Sequence, residues 1–281
     1  MVAPASAALD AADAATGLAA LRARGLQVDV ADVTGGPIAY LSGSDAARAG
    51  ALNAALRKRG VADTNFQGKQ RAQAAKCEKA KFFAELSNSS ETPIRPERLV
   101  ADLQKVLPEE AVIVADPGTP CPYVSAYYEL PKAGRHFISN RAHGALGYSL
   151  SATVGAAYGR PNSKIVGIMG DGSFGFTAGE LETIVRCNVP VTLIVCSNST
   201  FGWIKAGQKA GFGERYFSVD FSRTRHAAVA EAFGVQGFRV EDPAELQTTL
   251  AKAVAVDGPT LVDVICQPLN EARAPVSEWV A

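Results

Sequence analysis

Apolar residues in this chain gather in short unbroken runs set off by glycine, proline or polar residues, and the runs alternate with longer stretches of helical spacing. Residues 111–115, 165–169, 191–196 and 261–266 are such runs, and 235–240 reads as a further strand. Their length and lack of alternation predict strands buried on both faces of a parallel sheet. Between them, Pro96 opens a helix from the first-turn position that proline favours. The glycine- and alanine-rich residues 149–159 predict a helix packed closely on the sheet. Leu181, Ile184 and Val185 are spaced for one buried helical face, and 226–233 and 243–256 predict two further helices. Strands alternating with helices predict an α/β fold with a doubly wound parallel sheet.

Upstream the pattern thins. Residues 1–20 are alanine-rich and predict a frayed or loosely held helix. Residues 26–33 read as a strand and 46–59 as a helix with a basic end. That is only part of a second α/β unit, since a complete domain of about 100–150 residues needs several more strands. The polar stretch 67–90, ending NSSETP, reads as a connecting helix and linker. The expected organisation is therefore an N-terminal segment with linker at 1–90, then an α/β domain with a C-terminal tail at 91–281. The tail carries Trp279 and either closes over a site or packs on the surface.

Composition narrows the function. The 281 residues carry 28 basic and 28 acidic side chains, with no basic run interleaved with aromatics, which argues against a nucleic-acid partner. No apolar stretch approaches the roughly 20 residues that cross a bilayer. The start MVAPASAALDAADAATG lacks a basic leader region and places Asp10 and Asp13 where a signal peptide is apolar. Five cysteines, odd in number and without a CxxC pair, suggest neither a disulfide framework nor a zinc site. A reducing cytoplasm is the expected location, with Cys196 and Cys266 as small core residues.

Candidate chemistry concentrates in residues 164–202. The run at 165–169 passes directly into Gly170-Asp171-Gly172-Ser173, where two glycines let the backbone turn sharply and approach a ligand. The next strand ends at Ser197-Asn198, with Asn198 27 positions after Asp171. In a strand–helix–strand unit both strands point the same way, so Asp171 and Asn198 emerge at the same carboxyl edge, where open α/β sheets bind ligands. A carboxylate, an amide oxygen and nearby carbonyls suit Mg²⁺, and the amides of Gly172 and Ser173 suit a phosphate. Gly-Asp-Gly taken alone is also a common turn.

This spacing resembles the thiamine diphosphate (ThDP) motif, and residues from about 93 to 270 resemble the diphosphate-binding (PP) domain of the acetolactate synthase and 2-oxoacid decarboxylase superfamily. The resemblance implies ThDP and Mg²⁺ as cofactors, with Asp171, Asn198 and the main-chain carbonyl of Thr200 as metal ligands. It implies that Gly172 and Ser173 hold the diphosphate, with Gly170, Phe201 and Gly202 beside them. Gly118 and Thr119 approach it from the other side, although many relatives have glutamine and histidine where this chain has Thr119 and Pro120. Gly144, Ala145 and Leu146 resemble the segment that receives the aminopyrimidine. Leu146 would be the apolar wedge that bends the cofactor and brings its amino group to the thiazolium carbon; an ordinary core leucine is the other reading. His143 is either a substrate-facing acid/base or a turn histidine bonded to backbone. Trp203, Ile204 and Lys205 follow the implied metal loop, where the resemblance places residues that face the substrate, and some decarboxylases carry a catalytic glutamate at the position of Ile204.

In the family a carboxylate against the pyrimidine N1′ comes from a separate pyrimidine-binding (PYR) domain. The residues before position 93 hold no segment like it. The expectation is one subunit of a split enzyme, partnered by a separately encoded PYR subunit in an α₂β₂-type or larger hetero-oligomer. It would act on a 2-oxo acid or 2-hydroxyacyl compound as an acetolactate-synthase-like carboligase, lyase or decarboxylase. The alternative is a non-catalytic, regulatory ThDP-binding subunit. A dinucleotide-binding domain is disfavoured, because no GxGxxG follows a strand.

Overall fold

The structure is a computed structural model that describes residues 68–132 and 134–268, with 19–23, 25, 37–38, 41–42, 50 and 53–54 before them. The chain divides into two compact units, Met1–Ala74 and Ala75–Ala281. In the first, Pro37–Ile38 (β1) pairs antiparallel with Leu41–Ser42 (β2). The strand expected at 26–33, most of the helix expected at 46–59 and the tail from 269 onward lie outside the described residues.

From residue 68 on, the chain runs α1 (Gly68–Ser87), α2 (Pro96–Val106), β3 (Val112–Ala115), α3 (Pro120–Tyr127), β4 (Phe137–Ile138) and α4 (Tyr148–Gly159). It continues with β5 (Ile165–Gly170), α5 (Asp171–Thr177), α6 (Glu180–Arg186), β6 (Val191–Ser197) and α7 (Gly202–Phe212). The last elements are α8 (His226–Ala232), β7 (Gln236–Val240), α9 (Pro243–Ala255) and β8 (Thr260–Ile265). The sheet β4-β3-β5-β6-β8-β7 is parallel throughout.

Alternate side chains of the central strands feed two separate cores. Ile113, Val166, Ile168, Ile194 and Val262 pack with α2, α3 and α9 residues such as Leu99, Tyr123 and Leu250. Val112, Val114, Ile165, Leu193 and Leu261 pack on the other face with Leu150 of α4, Phe174 of α5, Leu181 and Ile184 of α6 and Ala230 of α8. Because both faces are covered, these strands read as unbroken apolar runs. Each fully buried aliphatic side chain contributes about 1.5–3 kcal/mol, so the strand positions are set by packing more than by propensity. The glycine-rich helix does pack closely: a Cβ on Gly167 would meet Thr153 Oγ1 at 2.4 Å.

Three differences from the sequence reading have local causes. The helix after Gly-Asp-Gly begins at Asp171 itself and is two short helices, divided at Ala178-Gly179, with Gly172, Gly175 and Gly179 lowering its helix propensity. Edge strand β4 has only two residues and leaves no periodic signal. Helix α7 carries Gly202, Gly207 and Gly211, which mask its helical character.

The chain leaves β3 towards β4 on one side, whereas β5 is followed by β6 on the other. The carboxyl ends of β3 and β5 therefore flank a topological switch point, where open α/β sheets form a crevice. Register aligns the exits: Ala115 opposes Ile168, and Gly170 opposes Cys196. Asp116, Asp171 and Asn198 consequently leave the sheet along one edge.

Candidate functional site

Asp171 caps the end of β5 and is 4% exposed. Its Oδ2 accepts the amides of Asn198 (2.8 Å) and Ser199 (2.6 Å), and its Oδ1 accepts the amide of Gly172 (2.9 Å). Burial pushes this carboxyl above the ordinary aspartate range, and the three amide bonds pull the other way. The loop after β6 is bent to make those bonds, with Ser199 at φ 57°, a left-handed value that costs a non-glycine residue energy. Asn198 Oδ1 accepts the Thr200 amide at 3.2 Å. A second strap holds the loop from outside: Thr200 Oγ1 and the Phe201 amide both donate to the Val219 carbonyl, and the Phe221 amide donates to Ser199.

Phe201 then lies against Gly172. A Cβ there would sit 2.4 Å from Phe201 Cε1, so no side chain fits without displacing the ring. A Cβ on Gly170, in contrast, would project into open space. Leu146 faces the cleft from the opposite wall, its Cδ2 3.5 Å from where a Gly118 Cβ would stand.

Asp116, at the exit of β3, ties these walls together and is fully buried. Its Oδ2 accepts the Gly147 amide (3.1 Å), the Ser149 amide (3.2 Å) and the Ser149 hydroxyl (3.2 Å), while Oδ1 accepts Ser173 Oγ (2.8 Å). One carboxylate thus fixes the turn at 117–119, the Leu146 loop and the start of α5. Gly147 itself sits at φ 85°, and a Cβ there would approach Phe176 Cβ at 3.0 Å.

Behind Asn198 lies a buried polar cluster. Ser197 Oγ lies 2.8 Å from His226 Nδ1 and donates to Asp263, whose other oxygen accepts the His226 amide (3.1 Å) and Arg239 (2.7 Å). Burial alone would raise the Asp263 carboxyl. The hydrogen bonds from His226 and Ser197, with the positive charges beside it, outweigh that and hold it below the ordinary value. Ser197 bonds directly to the aspartate deep in the fold, so this group anchors the loop after β6 and is no nucleophile–base triad.

One cleft is lined by Gly118, Thr119, Leu146, Gly170, Asp171, Gly172, Ser173, Asn198, Thr200, Phe201 and Gly202, all singled out from sequence, together with Trp203 and Ile204. Gly144, Ala145 and His143 are exposed on the preceding turn and do not line it. The amides of His143 and Gly144 both donate to the Asn140 carbonyl. His136, buried, approaches the Ala111 carbonyl with Nδ1 at 3.3 Å.

The family of thiamine pyrophosphate enzymes, in its C-terminal TPP binding domain, matches residues 116–264. The chain belongs to this family. Its ThDP-binding domain is 30% identical over 182 residues to a probable acetolactate synthase large subunit of Methanococcus aeolicus, covering 63% of this chain and 30% of that protein. It is 32% identical over 169 residues to the acetolactate synthase of Bacillus subtilis (strain 168), covering 60% and 29%. Among solved structures it resembles the Rhodococcus jostii RHA1 thiamine diphosphate-dependent 4-hydroxybenzoylformate decarboxylase, with TM-score 0.60 and 25% identity over 64% of this chain and 34% of that one. The chain thus spans about a third or less of the proteins it matches.

The donors fit the family's cofactor. Asp171, Asn198 and Thr200 offer hard oxygen ligands, and among the described residues no three His, Cys, Asp or Glu side chains cluster as an all-protein metal cage. Mg²⁺ is commonly held in that way, by one or two carboxylates plus phosphate oxygens. Asp116 and the Ser197–His226–Asp263 cluster were missed as functional residues. A lone aspartate ahead of Pro-Gly at a strand end is the one signal that could have marked Asp116. Among the described residues no helix is long and apolar enough to cross a membrane.

Proposed function

We propose that this chain is the diphosphate- and Mg²⁺-binding part of a ThDP enzyme that cleaves or forms a C–C bond next to a carbonyl, acting on a 2-oxo acid or 2-hydroxyacyl compound. The observation that carries this reading is the convergence of Asp171, Asn198 and Thr200 with the start of α5 at one sheet edge. Bound ThDP supplies a nucleophilic carbon and an electron sink. The protein's own residues do the rest. Asp171, Asn198 and the Thr200 carbonyl hold the cation, and the Gly118 turn and the start of α5 hold the diphosphate between them. Leu146 fixes the bend of the cofactor, and Phe201 packs on Gly172 so that the backbone beside the diphosphate cannot shift. Ile204, half exposed on the cleft wall, provides an apolar surface where some decarboxylases have an acid. That favours an acetolactate-synthase-like carboligase or lyase.

Among the described residues Asp171 is the one carboxylate in the cleft lining, and on this reading it holds the cation. The carboxylate that activates the pyrimidine would then come from a PYR domain. We assign it to a separately encoded subunit in an α₂β₂-type or larger assembly, in keeping with relatives described as large subunits. Calorimetric titration of ThDP with Mg²⁺ into the chain alone, then into the chain co-expressed with a PYR-domain protein, tests both parts. Binding that is tight only in the complex and lost in Asp171→Ala supports the reading. Binding indifferent to that substitution overturns the cofactor site, and full turnover by the isolated chain overturns the split.

A further inference from the structure

Arg141, exposed on the turn before Leu146, stands beside the cleft wall. Its guanidinium carbon lies 5.7 Å from the centre of the Trp203 ring, and its NH1 reaches the Pro117 carbonyl at 3.4 Å, the outer limit of a hydrogen bond. Among the described residues no carboxylate pairs with it. The neighbouring cation is already neutralised: Lys205 Nζ binds Asp220 at 2.7 Å. Trp203 itself lines the cleft next to Ile204, and its Nε1 is buried with no hydrogen-bond partner. The substrate end of the site is thus an apolar wall of Leu146, Trp203 and Ile204, with an unpaired indole N–H in it and a guanidinium one ring further out.

Building on the ThDP reading, we infer that Arg141 and Trp203 select substrates bearing a second anionic group remote from the reacting carbonyl, such as a 2-oxo diacid. Stacking on an indole face leaves the edge of a guanidinium free, and that edge matches a planar carboxylate with two parallel hydrogen bonds. The placement argues for the remote group over the carboxylate at the reacting carbon. Holding a departing carboxylate on a guanidinium would stabilise the ground state and slow its loss. Here the walls nearest the cofactor are apolar, and the cation lies outside them.

The test uses the complex of this chain with its PYR subunit, loaded with ThDP and Mg²⁺. Glutarate and butyrate are titrated into it calorimetrically. Glutarate should give a saturable change with a Kd about 10-fold or more below that of butyrate, as expected for a charge-assisted pair. Arg141→Ala should raise the glutarate Kd by about 10-fold and leave butyrate and ThDP binding within about 2-fold; Arg141→Lys should recover only part. Equal binding of the two acids, or a glutarate Kd unmoved by Arg141→Ala, overturns the inference. So does loss of ThDP affinity in that variant, which would assign Arg141 to the diphosphate. Failure of the wild-type complex to bind ThDP would instead strike the functional reading, and this one with it.

Discussion

Replacing Asp116 tests whether one buried carboxylate really assembles the cleft. In Asp116→Ala four donors lose their acceptor: the Gly147 and Ser149 amides and the Ser149 and Ser173 hydroxyls. The hydroxyls can rotate to other partners. The amides cannot, and a buried amide left unpaired costs about 1–3 kcal/mol. Two of them set an expected loss of about 2–6 kcal/mol, large against the stability of an ordinary domain. Asp116→Asn keeps the shape, turning its oxygen to the three donors at the Oδ2 position and its amide to Ser173 Oγ, which can accept. Only the charge assistance is lost, so the cost should be about 1–2 kcal/mol. Urea unfolding followed by circular dichroism gives the midpoints, and ThDP titration gives the site. The expected order is wild type, Asn, Ala, with ThDP affinity falling about 10-fold or more in Ala as the loops lose alignment. An alanine variant within about 0.5 kcal/mol of wild type, binding ThDP equally well, would refute the reasoning.

Gly172→Ala should push Phe201 aside at an overpacking cost of about 1–3 kcal/mol, seen calorimetrically as weaker ThDP binding that Phe201→Ala in the same chain partly restores. Asp171→Asn should abolish Mg²⁺-dependent ThDP binding measured calorimetrically, and the stability of its ligand-free form should lose the pH dependence that the carboxyl brings. The sign follows from burial: a carboxyl raised in the folded state favours folding while protonated and loses that contribution as pH rises through its folded value. Asparagine removes that pH dependence, while its single oxygen leaves at least one of the Gly172, Asn198 and Ser199 amides without an acceptor. Asp263 has the opposite sign, because its depressed carboxyl stabilises the fold above the usual aspartate value and loses that as pH falls through the folded one. Asp263→Asn should lower the urea midpoint at pH about 7 and flatten its decline below about pH 4, the ordinary aspartate value.

Much of the fold was legible because the parallel strands are buried on both faces, which turns them into short apolar runs that glycine and proline delimit. The approach of the loop after β6 to Asp171 was legible for a related reason. Parallel strands deliver their carboxyl ends to one edge, so the separation of Asp171 and Asn198 already implies proximity, as the bonds from Asn198 and Ser199 to Asp171 confirm. What escaped was of two kinds. Two-residue β4 and the glycine-bearing α7 lack a periodic or propensity signal. Asp116, Ser197, His226 and Asp263 act through contacts 29 to 66 positions apart, and nothing local distinguishes a buried acceptor of amides from an aspartate in an exposed turn.

The two aspartates at the sheet edge divide the work of building the site. Asp116 gathers the turn at 117–119, the Leu146 loop and the start of α5, while Asp171 gathers the start of α5 and the loop at 198–199. Helix α5 is therefore held from both sides, and its position is set before any ligand arrives. A cation entering beside Asp171 meets a carboxylate whose two oxygens already point along fixed amide bonds, so little ordering remains to be done on binding. The same bonds explain why a carboxyl disfavoured by burial can remain there. The amides offset part of the desolvation, and a cation bound there, as proposed, would offset more of it.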